Sequence, residues 1–294
     1  MKWVRWREIK IVLVVIFTMI ISGFLLLSLK TSQSDTIVFM VLEKDLKINI
    51  APAECFFAAT GVANSFFIPS AGGGLYCISV NRTANSVCFS EPENIIYQLQ
   101  LNNKQISKSI ITTGKPNISY LKISPSGKYF CFVSEERVYI FNQETQQIIT
   151  SILSDFSGKN PVPAWFYNED KLAVVCSESI GIYDIKGKRE KEFRGIYSVS
   201  DANISPDGAC LAYSLQSPGL KPGSTIGLIS LENGKTEIVA KADTGFVPPP
   251  SWSSDGKSLY YSANQIIFRM DLKDKKPIKI GKGFWPICIP KREK

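Results

Sequence analysis

The chain has 294 residues, of which 45% are hydrophobic and 20% charged, with a formal net charge of +8 and no histidine. That composition supports a large core and excludes a disordered chain. The absence of histidine excludes Ser-His-Asp and Cys-His nucleophile pairs and any His-ligated zinc, copper or haem centre.

The first predicted element, residues 11–29 (IVLVVIFTMIISGFLLLSL), opens at Ile11 and closes at Leu29 without a charge. As a helix it spans about 28 Å, close to the thickness of the bilayer hydrocarbon. It is longer than the apolar region of a signal peptide and no Ala-x-Ala-like site follows it, so an uncleaved signal anchor is expected. A cleaved signal, with the remainder secreted, is the alternative. Lys2, Arg5, Arg7 and Lys10 precede the segment and only Lys30 follows it closely. The positive-inside rule therefore keeps the N-terminus cytoplasmic and places residues 31–294 outside.

From residue 36 onward helix signals are absent and short β-type runs repeat. A first run covers 36–42, and Ile50-Ala51-Pro52-Ala53 then serves as a provisional anchor for a first unit, with Phe57 seven places on. Val80 anchors a second, followed by Val87-Cys88-Phe89 and Ile95-Ile96-Tyr97-Gln98-Leu99. Four clearer phrases come next: Ile123-Ser124-Pro125-Ser126-Gly127-Lys128, Trp165-Phe166-Tyr167-Asn168-Glu169, Ile204-Ser205-Pro206-Asp207-Gly208 and Trp252-Ser253-Ser254-Asp255-Gly256-Lys257. The six anchors are spaced by 30, 43, 42, 39 and 48 residues, so the first unit is irregular or its anchor is misplaced.

Within a unit, a hydrophobic run follows the phrase, then a β-branched or aromatic run such as Ile180-Gly181-Ile182-Tyr183, a polar turn, and a more polar fourth run. Each unit is one supersecondary element that cannot bury its own faces, and four short strands per unit describe a propeller blade. The phrase has a local cause. Pro fixes φ and donates no ladder bond, while Asp and Gly suit the tight reversal between strands one and two. Trp165 and Trp252 are expected to pack between blades. Residues 36–42 and 284–290 lie outside the count, and one is expected to complete a blade begun by the other, leaving no free edge.

Residues 118–281 resemble the TolB-like, WD-repeat-like β-propellers, whose blades carry Trp-Ser-Pro-Asp-Gly-Lys and then an Ile-Tyr-x-x-Asp-Leu strand. The 251–262 segment with FRMDL at 268–272 is the closest copy, and Ile182-Tyr183-Asp184-Ile185 repeats the third strand. Asn168-Glu169-Asp170 departs from the pattern. The resemblance implies an all-β fold: a single propeller of about six, alternatively seven, four-stranded blades after one N-terminal transmembrane helix. Residues 1–30 are then the basic stub and anchor, and 31–294 the propeller domain. Members of the family include periplasmic proteins that contact envelope partners and propellers attached to peptidases, so no single activity is implied.

The remaining chemistry is sparse. Asp207 and Asp255 sit in repeated turns and Asp184 and Asp271 at the end of third strands, where capping explains them. No Asp-rich calcium loop occurs, and Gly72-Gly73-Gly74 lacks the Gly-Lys-Ser/Thr of a phosphate loop. The seven cysteines lie mostly in apolar runs, where a thiol acts as a small hydrophobe. Basic clusters lack interleaved aromatic residues, which argues against nucleic acid. No cofactor or metal is called for.

Two insertions break the repeat, Ser217-Pro218-Gly219-Leu220-Lys221-Pro222-Gly223-Ser224 and Phe246-Val247-Pro248-Pro249-Pro250. If they share a face, Leu220, Lys221, Phe246 and Pro249 form a contact surface. The expected function is a non-catalytic binding or assembly module for a protein of the cell envelope. Its competitors are a carboxylate-dependent hydrolase or lyase, or a ligand or glycan sensor, using the central channel.

Overall fold

The computed structural model describes residues 36–42, 46–52, 64–67, 77–80, 86–90, 95–102, 105–115, 118–153, 161–195, 199–217, 223–242 and 250–289. These residues contain strands, turns and no helix. Residues 11–29 lie outside them, and among the described residues no helix is long and apolar enough to cross a membrane.

The strands group in chain order. The first blade holds β1 (Thr36–Leu42), β2 (Leu46–Pro52) and β3 (Asn64–Phe67). The second holds β4 (Cys77–Val80), β5 (Ser86–Ser90), β6 (Ile95–Asn102) and β7 (Gln105–Thr112). The third comprises β8 (Ser119–Ile123), β9 (Tyr129–Ser134), β10 (Arg137–Asn142) and β11 (Gln147–Leu153). The fourth comprises β12 (Val162–Trp165), β13 (Lys171–Cys176), β14 (Ser179–Asp184) and β15 (Arg189–Arg194). The fifth has β16 (Asp201–Ile204), β17 (Cys210–Ser217), β18 (Gly223–Ser230) and β19 (Thr236–Ala242). The sixth has β20 (Ser251–Trp252), β21 (Ser258–Ala263), β22 (Ile266–Asp271) and β23 (Pro277–Lys282), and β24 (Phe284–Ile289) follows.

Among the described residues pairing is antiparallel throughout and yields six four-stranded sheets. Five are local meanders. The sixth has the order β24-β1-β2-β3, so the last strand supplies the first position of the first blade, with Thr36 opposite Ile289. This is the closure that the two uncounted runs predict. It also corrects the first anchor: Ile50 lies in β2, the third strand of its sheet, and the strand equivalent to those carrying Val80 or Ile123 is β24. The first strands neighbour one another in the order β4, β8, β12, β16, β20, β24.

Both faces of the middle strands are buried, which is why they read as continuous apolar runs. In β9, Phe130 and Phe132 turn toward Ile96 and Ile111 of the second blade. Cys131 and Val133, on the opposite side of the same strand, pack with Trp165, Leu172 and Val174 of the fourth. The next interface joins Val162, Ala173 and Ile180 to Ile204, Leu211 and Tyr213, and the one after it joins Ala212 and Ile226 to Trp252, Leu259 and Tyr261. The cysteines follow this logic. Cys131, Cys176 and Cys288 are buried, and burial pushes the Cys131 thiol far above its ordinary value. In the third to sixth blades the fourth strand carries a β-bulge, at Ile149, Glu190, Val239 and Ile280. A bulge twists an edge away from foreign strands.

Candidate functional site

Strand direction gives the body two faces. One carries the turns between strands one and two, where the Ser-Pro-Asp-Gly phrases lie, and those between strands three and four. We call it the phrase face. The other, the loop face, carries the turns between strands two and three and the connections between blades.

On the phrase face Asp184, Asp207, Asp255 and Asp271 are bound into the turns themselves. The Ser205 hydroxyl donates to Asp207, and the Ala209 and Cys210 N–H groups donate to Asp207 Oδ1 and Ser205 Oγ at 3.0 and 2.9 Å. Those hydrogen bonds, from Ser205 first, hold the Asp207 carboxyl below its usual range. The sixth blade repeats the arrangement with Ser253, Asp255, Lys257 and Ser258. There, partial burial opposes the charge on Asp255, and the Ser253 hydroxyl with the Lys257 N–H outweighs it, so this carboxyl is lowered too. Asp184 accepts from the N–H groups of Lys186 and Lys188, and Asp271 from that of Lys273, which fixes the turns after strand three.

The fourth blade departs from the phrase and the third blade benefits. Glu169 occupies the position of Gly208 and Gly256, and keeps their left-handed backbone at φ 61°. Its carboxylate reaches across to the preceding blade and accepts from Ser126 N, Ser126 Oγ (2.6 Å) and Ser124 Oγ (3.3 Å). Ser126 stands where the other phrases have Asp. The missing carboxylate of one turn is therefore supplied by the neighbouring turn. Elsewhere the same seam is steric: a Cβ at Gly208 would meet the Phe166 ring at 3.2 Å.

Along the channel, the residue before three of the anchors, Ile123, Ile204 and Trp252, links blades. Lys122 O accepts from Trp165 Nε1 at 3.0 Å, and Lys122 Nζ pairs with Asp201 at 2.7 Å, bridging β8 to β16 past the uncharged β12. The two side chains are only 12% and 14% exposed, so each depends on the other for solvation. Asn203 repeats the role: its O accepts from Trp252 Nε1 and its Nδ2 donates to Pro250 O, both at 3.0 Å. Ser251 Oγ accepts from Cys288 N at 2.8 Å, tying the sixth blade to β24. Both Trp residues thus pack between blades, and each also fixes one hydrogen bond there. Asp201 is the sole carboxylate on the six first strands and it is held by Lys122. Among the described residues no cluster of three or more Cys, Asp or Glu is arranged to hold a metal. Lys122 and Asp201 were not candidates from sequence. Their signal is the period-two alternation, which puts Lys122 between buried Leu121 and Ile123 and Asp201 beside buried Ala202.

The loop face is uneven. In the third, fourth and sixth blades the turn between strands two and three is two residues: Glu135-Glu136, Ser177-Glu178 and Asn264-Gln265. In the fifth, β17 and β18 run to eight residues instead of six and end at the pair Ser217 and Gly223. Ala242, which ends β19, pairs with Ser224 at that same end, and Pro250 leads into β20 from there. Both proline-rich insertions therefore spring from one face of one blade and its junction with the next. Leu220, Lys221, Phe246 and Pro249 themselves lie outside the described residues.

No family model matches the chain, and no curated protein does. Among solved structures the chain is similar to TolB from Acinetobacter baumannii, with a TM-score of 0.66 and 16% identity over 89% of this chain and 68% of that one. It is also similar to hydrazine synthase from Kuenenia stuttgartiensis, with a TM-score of 0.54 and 13% identity over 70% of this chain and 66% of that one. At these identities the likeness is one of fold: the body is a TolB-like β-propeller.

Proposed function

We propose that this chain is a single six-bladed propeller, tethered by residues 11–29 with its body outside the cytoplasm, that binds a protein partner of the cell envelope through its loop face and has no catalytic site of its own. The observation that carries the reading is the fifth-blade hairpin. A hairpin that turns in two residues in the third, fourth and sixth blades, three in the first and four in the second takes five here, beside a second insertion rooted at the same end. Propellers offer loops on a rigid frame, and binding residues concentrate on such loops. The channel supports this reading over the enzyme alternative. Acid–base catalysis by carboxylates alone calls for a pair in different environments, and the first strands offer one carboxylate already joined to a lysine.

The test is capture in cells from the intact chain and from a variant in which 218–222 is replaced by Asn-Gly. A protein captured by the first and lost with the second, at unchanged melting temperature, supports the reading. Capture indifferent to the hairpin contradicts it. A melting temperature raised by a glycan or metabolite panel would instead favour the sensor.

A further inference from the structure

Resting on the anchor proposed above, we infer that the phrase face lies against the anchoring membrane and the loop face points away from it. β1 runs antiparallel to β24, and Thr36 pairs with Ile289 at the end of the blade where the phrase turns lie. The chain therefore enters the body, and leaves its last strand, on the phrase face. Only residues 30–35 separate the apolar segment from Thr36. Fully extended, six residues reach at most about 20 Å.

That length decides the orientation. To present the loop face to the lipid, the tether would climb the height of β1, about 20 Å for seven residues, after passing β2 and β3, about 10 Å further out. The required path of about 30 Å exceeds the reach of the tether. The phrase face has no such obstacle. Its turns also carry exposed cations suited to anionic headgroups, among them Lys257, Lys273 and Lys276 of the sixth blade. Asp255 and Asp271 accept from the N–H groups of Lys257 and Lys273, and Asp274 is the exposed carboxylate among the lysines of the second turn. The surface that this face fits is therefore the bilayer in which the chain is anchored.

The experiment uses the full chain in phosphatidylcholine–phosphatidylglycerol vesicles whose headgroups carry an energy-transfer acceptor. A donor dye is attached through an azido amino acid replacing Lys257 or Lys273 on the phrase face, or Glu178 or Lys282 on the loop face; all four side chains are exposed. Transfer from 257 and 273 is expected to exceed that from 178 and 282. Equal or reversed transfer in a chain that floats with the vesicles overturns the orientation and leaves the anchor standing. A chain that does not float overturns both.

Discussion

The two faces of this propeller are made by the same repeat and used differently. On the phrase face regularity is maintained even where the sequence fails: Ser126 lacks a carboxylate, and Glu169 of the next blade supplies one while holding a glycine-like backbone. On the loop face regularity is abandoned, since three blades turn in two residues and the fifth runs on. Where deviation is repaired the surface serves closure of the body, and where it is elaborated the surface is free for contact.

The strongest way to break the comparison is to remove what closes the body. Deleting residues 284–294 takes β24 from the β24-β1-β2-β3 sheet and strips Ser251 of its Cys288 partner. Loss of cooperative unfolding by circular dichroism is expected, because a blade without its first strand exposes two edges. Next comes the bridge beneath both faces. Lys122→Met leaves Asp201 nearly buried without its counter-charge and should cost about 3 kcal/mol in denaturant unfolding, with K122M/D201L recovering part of that loss. Smaller is the repaired turn. Glu169→Ala should cost about 1 kcal/mol, whereas the pair S126D/E169G, which restores the ordinary phrase in both blades, should be at least as stable as the parent.

The turn carboxylates give a pH signature with a definite sign. Asp207 and Asp255 are lowered in the folded chain, so their contribution is full above the ordinary carboxylate pKa and is lost as pH falls through their folded values. Stability should drop below about pH 4, and Asp207→Asn with Asp255→Asn should flatten that drop while leaving the loop face untouched.

Much of this was legible because it is local. The tight reversal after strand one is written within a few positions of Ile123, Ile204 and Trp252, and the repeat spacing extends it to Val80 and Trp165, so five of the six anchors fall on true first strands, and the Trp positions announce the blade junctions. The first blade was not legible at Ile50, since its first strand comes from the far end of the sequence, and no local pattern marks a partner more than two hundred residues away. The Lys122–Asp201 bridge was hidden for the same reason, joining two first strands across a third. The candidate contact loops were visible as interruptions, and strand direction added that their roots share one end of one blade.

The central claim is that partner contact belongs to the loop face. A photo-crosslinking residue placed at Lys221, in the segment that joins β17 to β18, is compared in cells with one at Lys235, an exposed turn residue at the phrase end of the same blade. The account predicts a discrete protein adduct from 221 and none from 235. Adducts of the same protein from 235, or from 235 alone, would contradict it.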